Sequence, residues 1–214
     1  MIRLGVVCEG QTEVEFVKTC LLPHLLAHQV EAVPRLLQAP SGRHRGGRVT
    51  VERLANFLAH EYPAFHRLTT LVDFYGFQDR AGRDRATLEL AILHAVQAQV
   101  GKRFNAQAVL PYVQMYEFEG LLFADIAHFN WVHDPLPEAD RTALTRIRSA
   151  VASPEDINDS PETAPSKRLH RLFGGSYSKT EHGPLIAETI GLESIRQQCP
   201  RFHAWVSRLE AWGE

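Results

Sequence analysis

Carboxylates fall where strands should end. Glu9 follows the apolar run Ile2–Cys8, Asp73 closes the run that begins at Leu68, and Glu117 and Glu119 follow the run that begins at Ala108. In an open parallel sheet, ligands sit in the crevice beyond the carboxyl ends of the strands. Three strands therefore deliver acids to one edge. A hard divalent cation such as Mg²⁺ (or Mn²⁺) takes carboxylate oxygens together with waters and substrate phosphate, and such an ion on a sheet edge suits attack on a phosphodiester. The expected ligands are Glu9, Asp73 and Glu117, with Glu119 and Glu13 as supporting or alternate ligands. Glu9, Asp73 and Glu117 are also the expected catalytic groups, and Gly10 is expected to let a phosphate approach the backbone.

Plainer readings stand beside these. Glu13 lies in a first helical turn, where the helix dipole favours a carboxylate whatever the function. A strand-end Asp such as Asp73 can simply cap a loop, and Glu117 and Glu119, two apart, cannot both face one way on a helix. Cations that balance charge on a phosphate are expected at Lys167, in a catalytic role, and at Lys179, in substrate binding. Arg43, Arg45 and Arg48 in a Gly-rich stretch, and Arg80, Arg83 and Arg85 after the third strand, form local basic patches. Arg45 and Arg83 are the expected phosphate contacts, with solvated loops as the plain alternative.

Other chemistries lose ground. His24 and His28 have the i, i+4 spacing of a zinc pair, but the Glu of HExxH is absent between them, which disfavours a zinc site. The chain has no phosphate-binding G-x-x-x-x-G-K-[ST] loop, no G-x-S-x-G elbow and no dinucleotide fingerprint. Cys8, Cys20 and Cys199 form no disulfide framework and read as buried thiols. A formal charge of −2 argues against coating of polyanions by bulk attraction, so any nucleic-acid contact is expected to use local patches. No apolar run is long enough to span a bilayer, so a cytoplasmic protein without membrane contact is expected.

The elements that must hold these groups follow from periodicity. With 214 residues, 44% hydrophobic and 22% charged, the chain is an ordinary globular one. Strands are expected at Ile2–Cys8, Ala32–Leu37, Leu68–Phe74 and Ala108–Tyr116. Helices are expected from a Thr12/Glu15 capping box, around Val51–Leu58, at Ala86–Val100 and at Phe118–Asp125. Alternating strands and helices imply α/β architecture with a mainly parallel four-stranded sheet flanked by helices. A core over 1–138 and a helical extension over 139–214 packed on it are the expected division.

Glu9-Gly10 after the first strand and Asp73 after the third resemble the Toprim domain of topoisomerases, primases and overcoming-lysogenization-type nucleases. The stretch Glu9-Gly10-Gln11-Thr12-Glu13 is similar to the E-G-x-[ST]-E of the nuclease branch. The blocks EGQTEVEFV, PYVQMYEFEGLLFAD, INDSPETAPSKRL, HGPLIAETIGL and CPRFHAWVSRLE resemble a Toprim-like bacterial family, the domain of unknown function numbered forty-two seventy-six. The resemblance implies a Toprim-like Rossmannoid fold, Glu9 as general acid/base, Mg²⁺ held at a DxD, and nucleic acid as substrate. Tyr75 stands where the second Asp of DxD belongs, and a phenol is a poor ligand for a hard cation. That departure supports an alternative, an inactive binding or regulatory module partnering an ATPase; a phosphatase or nucleotide hydrolase is a third reading. Asn158, Asp159 and Lys167 are expected to fold back over the sheet edge, with Tyr177 and Lys179 as weaker candidates.

Overall fold

Strand β1 (Ile2–Cys8) forms where the unbroken apolar run predicts it and takes the middle of the sheet. The structure, a computed structural model, describes residues 1–37, 49–158 and 161–214. β1 pairs in parallel with β2 (Val30–Leu36) on one side and with β3 (Arg67–Asp73) on the other. β3 pairs in parallel with β4 (Val109–Leu110) and, near its carboxyl end, with β5 (Val113–Gln114). The order β2-β1-β3-β4 brings the ends of β1, β3 and β5 to one edge.

The one long strand expected over Ala108–Tyr116 is split into β4 and β5. Pro111 lies between them and has no N–H to give to a ladder. Side chains of β3 repair the gap: Thr69 Oγ1 donates to the Leu110 carbonyl at 2.6 Å, and Thr70 Oγ1 donates to the Tyr112 carbonyl at 2.7 Å. Thr70 Oγ1 also accepts the Tyr112 N–H at 2.8 Å.

Helices cover both faces. On one side α3 (Val51–Glu61) and α4 (Arg85–Val100) pack Leu54, Leu58, Leu88 and Ile92 against Val7, Val72 and Val113. On the other lie α1 (Gln11–Phe16) and α2 (Leu22–Ala27), joined through a π turn at Val17–Leu21. The π turn precedes Pro23, whose ring excludes the regular hydrogen bond to the preceding turn. Beyond 138 come α5 (Glu138–Ser149), α6 (Pro165–Phe173), α7 (Lys179–Ile190), α8 (Leu192–Gln198) and α9 (Pro200–Glu210), with no strand among the described residues. Their Leu144, Leu169, Ile186, Ile195 and Phe202 belong to the same apolar cluster as Leu4, Val6 and Leu71 of the sheet. Trp205 stacks on Tyr112 with ring centroids 4.5 Å apart and donates its indole N–H to Thr69 Oγ1 at 2.8 Å.

Two local expectations change. α1 starts at Gln11, so the residue that closes its first turn is Glu13, whose Oε2 accepts the Gly10 N–H at 2.9 Å. Glu15, expected in a capping box with Thr12, instead accepts from Gln11 and Lys18. The helix expected over Phe118–Asp125 is a 3₁₀ run, Phe118–Ala124. The three cysteines are free and buried, and no helix is long and apolar enough to cross a membrane among the described residues.

Candidate functional site

At the carboxyl edge of the sheet a pocket of about 260 Å³ is lined by Glu9, Asp73, Tyr75, Gly76, Gln78, Glu117 and Lys179. Glu9 extends from the end of β1, and its Oε2 accepts the Asp73 N–H at 3.2 Å. Asp73, at the end of β3, accepts the Phe118 N–H through Oδ1 at 2.8 Å. Glu117 accepts the Ser166 N–H through Oε2 at 2.8 Å, at the first turn of α6. Each of these three acids thus has one oxygen fixed by a backbone N–H, while its other oxygen accepts no hydrogen bond from a described residue. Gly76 makes room for Glu9, because a Cβ there would stand 2.2 Å from Glu9 Oε2.

Lys179, the first residue of α7, reaches in from the other side. Its Nζ lies 3.1 Å from Glu119 Oε2 and 3.6 Å from Asp73 Oδ2. α7 can approach because Gly183 leaves it close to α1, where an added Cβ would lie 3.1 Å from Thr12 Cγ2. Glu119 is fully buried, with the Lys179 ammonium beside its Oε2, and its Oε1 has no hydrogen-bond partner among the described residues. Glu117 and Glu119 both reach this region because Glu117 is extended and precedes the 3₁₀ run that carries Glu119. Glu13 is buried as well, tied to the Gly10 N–H.

The electrostatics follow from crowding acids in a dry edge. Burial first, then the neighbouring Glu13 charge, raise Glu9 to about 7. Burial raises Asp73 well above the carboxylate range against the pull of Lys179, and burial likewise raises Glu119. For Lys179, burial alone acts downward, but Glu119, Asp73, Glu13 and Glu117 outweigh it and hold the ammonium well above its ordinary range.

Several expected residues lie elsewhere. Lys167 is exposed on α6 and does not line the pocket, because the turn that points the Ser166 N–H at Glu117 rotates the next side chain outward. Lys179, rather than Lys167, faces the acids, and Arg53 also acts on the Glu9 charge. Arg83 donates from Nη1 to the Asp79 carbonyl at 2.9 Å and does not line the pocket. Arg43, Arg45, Arg48 and Asp159 lie outside the described residues. Asn158 does fold back, and its Nδ2 donates to the Tyr75 hydroxyl. Tyr177 is buried, its hydroxyl has no hydrogen-bond partner among the described residues, and burial, then Glu119, raise it well above its ordinary range.

The family model described as Domain of unknown function (DUF4276) matches residues 8–210. The chain belongs to this family. Glu9, Asp73, Glu117, Glu119 and Lys179 all lie within the stretch that this DUF4276 chain shares with the family. Two solved structures of the C-terminal region of the Xanthomonas campestris pv. campestris OLD protein are similar to it. The structure phased with iodine is 12% identical with a TM-score of 0.48, covering 98% of this chain and 95% of that one. The structure phased with platinum is 14% identical with a TM-score of 0.39, covering 100% and 98%. No curated protein matches the sequence.

Sequence reasoning about the DUF4276 chain missed Gly76 and the backbone N–H donors, which have no signature of their own. It also treated His24 and His28 without their partner. Glu210 of α9 joins them, its Oε1 lying 2.6 Å from His24 Nε2 and 3.8 Å from His28 Nε2. Arg196 already holds both oxygens of Glu210, at 2.5 and 3.0 Å, so the cluster is an ion-pair network that ties α2 to α8 and α9.

Proposed function

We propose that this DUF4276 chain is a Mg²⁺- or Mn²⁺-dependent phosphodiesterase acting on nucleic acid, with Glu9, Asp73 and Glu117 as ligands and Glu119 and Glu13 in support. The observation that carries the reading is the pinning of Glu9, Asp73 and Glu117 by backbone N–H groups, each with a second oxygen left without a hydrogen bond at the pocket. A donor that fixes one oxygen of a carboxylate orients the other toward a cation. Mg²⁺ keeps several waters and takes one or two carboxylates with substrate phosphate, so an open edge of spaced acids fits it better than a closed cage. When bound, the ion supplies Lewis acidity toward the phosphate and lowers the pKa of water.

The chain's own residues then divide the work. Glu9, held by the Asp73 N–H and given room by Gly76, stands at the pocket wall as the proton-transfer group. Lys179 keeps its charge beside Asp73 and Glu119 and meets negative charge developing on the phosphoryl oxygens. Nucleic acid as the substrate rests on the similarity of Glu9-Gly10-Gln11-Thr12-Glu13 to the Toprim nuclease branch.

Glu9→Gln and Asp73→Asn are each expected to abolish Mg²⁺ binding in calorimetry and metal-dependent cleavage of DNA and RNA. Wild-type binding and cleavage in both variants would sink the assignment. Gly76→Ala is expected to cost about 100-fold in kcat/KM, because a misplacement of about 1 Å at a reacting group can cost that much. The fold should survive it, since the atom displaced is the far end of the flexible Glu9 side chain. A melting temperature near wild type with a full cleavage rate would contradict the role given to Gly76.

Two observations favour a second reading, a regulatory module that partners an ATPase. Tyr75 occupies the place of a second Asp, and burial raises its phenol further from ionisation. Among the described residues, no three of the strand-end acids bring ligand atoms within 4.8 Å of one another. Native pull-down that recovers a stable ATPase, with no metal-dependent activity in either preparation, is the outcome this reading expects.

A further inference from the structure

Beside the acid pocket lies a surface that phosphodiester hydrolysis as described above does not use. Phe74, Tyr75 and Tyr116 form a half-buried cluster of rings, with centroids 5.4 Å apart for Tyr75 and Tyr116, 6.2 Å for Phe74 and Tyr75, and 6.3 Å for Phe74 and Tyr116. The Arg80 guanidinium lies over two of them, 5.0 Å from the Phe74 centroid and 4.9 Å from that of Tyr75. Arg80 makes no ion pair with a described residue, so its planar fork of donors is held in place by rings rather than consumed by a carboxylate.

Tyr116 carries a second mark. Its φ of 60° is the left-handed conformation that a bulky side chain rarely adopts, and its carbonyl accepts the Tyr75 N–H at 3.1 Å. Backbone strain of this kind persists where the surroundings over-determine it, and it collects at ligand clamps. Tyr75 is both a member of this cluster and a wall of the acid pocket, so the two surfaces are continuous.

We propose that this lip binds an unpaired nucleotide of single-stranded nucleic acid beside the scissile phosphate. Its base stacks on Tyr116 and the Arg80 guanidinium plane, and the guanidinium N–H groups meet an adjacent phosphate. The proposal rests on the nuclease reading of the acid pocket and names its substrate class. Stacking on aromatic and guanidinium planes requires a base with a free face, which a nucleotide in a duplex lacks.

Fluorescence anisotropy tests this on the full chain, with Ca²⁺ replacing Mg²⁺ so that cleavage does not consume the probe. The probes are labelled oligothymidylate and oligouridylate of about 12 nucleotides, within the span of single-strand sites, and a duplex of equal length. Single strands are expected to bind at least about 10-fold more tightly than duplex, and the two oligomers distinguish DNA from RNA. Arg80→Ala and Tyr116→Gly are each expected to weaken single-strand binding about 5- to 100-fold. Tyr116→Gly relieves the left-handed strain but loses the ring contacts with Phe74 and Tyr75, so a cooperative melt is measured beside the binding to show that the variant is folded. Arg80→Lys keeps the charge for the phosphate but lacks the plane, and it should bind more tightly than Arg80→Ala but less tightly than wild type.

Equal affinity for duplex and single strand, or wild-type binding by both Arg80→Ala and Tyr116→Gly, would overturn the proposal. Failure of the nuclease reading has a different signature: Glu9→Gln would then cleave like wild type, or no preparation would cleave at all, while strand binding still depended on Arg80 and Tyr116.

Discussion

Lys179→Met is expected to lose cleavage by about 100- to 1,000-fold, the usual effect of removing one preorganised group that stabilises transition-state charge. It should also unfold at a lower temperature. Lys179 is the cation between Asp73 and Glu119, 3.6 and 3.1 Å away, and Glu119 is fully buried. Breaking a buried pair by removing one partner costs about 3–5 kcal/mol because the other charge is stranded. The Lys179 side chain is 36% exposed, so water screens part of this, and about 1–3 kcal/mol is the appropriate range.

For a chain of this length that range is a drop of roughly 2–12 °C in melting temperature. The double variant Lys179→Met/Glu119→Gln separates the two effects. Removing the stranded charge should recover most of the lost stability and none of the lost cleavage. An unchanged melting temperature and a wild-type rate in the single variant would show that Lys179 is neither counter-charge nor catalyst.

Trp205→Ala should cost about 3–5 kcal/mol, the range for truncating a buried Trp, and lower the melting temperature by about 6–20 °C. Trp205 is 3% exposed, stacks on Tyr112, and donates to Thr69 Oγ1, the hydroxyl that also bridges β3 to the Leu110 carbonyl. Losing it opens a cavity where α9 meets the interrupted strand pair. Trp205→Phe keeps most of the packing but loses the N–H donor, and should cost about 1–3 kcal/mol by leaving the polar partner short of a bond. By the same logic a fragment ending at residue 138 is expected not to fold, since it would bare the face of the sheet that residues 144–209 cover. A cooperative melt of that fragment, or a Trp205→Ala melt within about 2 °C of wild type, the scale of less than 1 kcal/mol, would contradict the shared core.

The strands and their acids were the legible part. Ile2–Cys8 and the run ending at Asp73 are apolar and β-branched because both faces of a central parallel strand are buried, and that requirement is written residue by residue. Once the strands are known, the acids that follow them fall at one edge by topology alone. The Pro111 interruption was present in the sequence but could not be weighed there, since its repair depends on two Thr hydroxyls about forty residues away along the chain.

Other features belong to the tertiary structure. Lys167 and Lys179 look alike in sequence, each near the start of a helix, and only packing separates them. α7 lies against α1 at Gly183 and carries Lys179 to the acids, whereas α6 turns its backbone toward Glu117 and Lys167 toward solvent. The N–H groups that pin the acids come from Phe118 for Asp73 and from Ser166 for Glu117. Glu210 meets His24 only because α9 packs beside α2. The sequence determined which side chains stand at strand ends, because burial of a strand is a local constraint on residue type. Which oxygen is held, which lysine neutralises and which arginine lies over the rings were decided by contacts between segments far apart in the chain, and no local pattern encodes these.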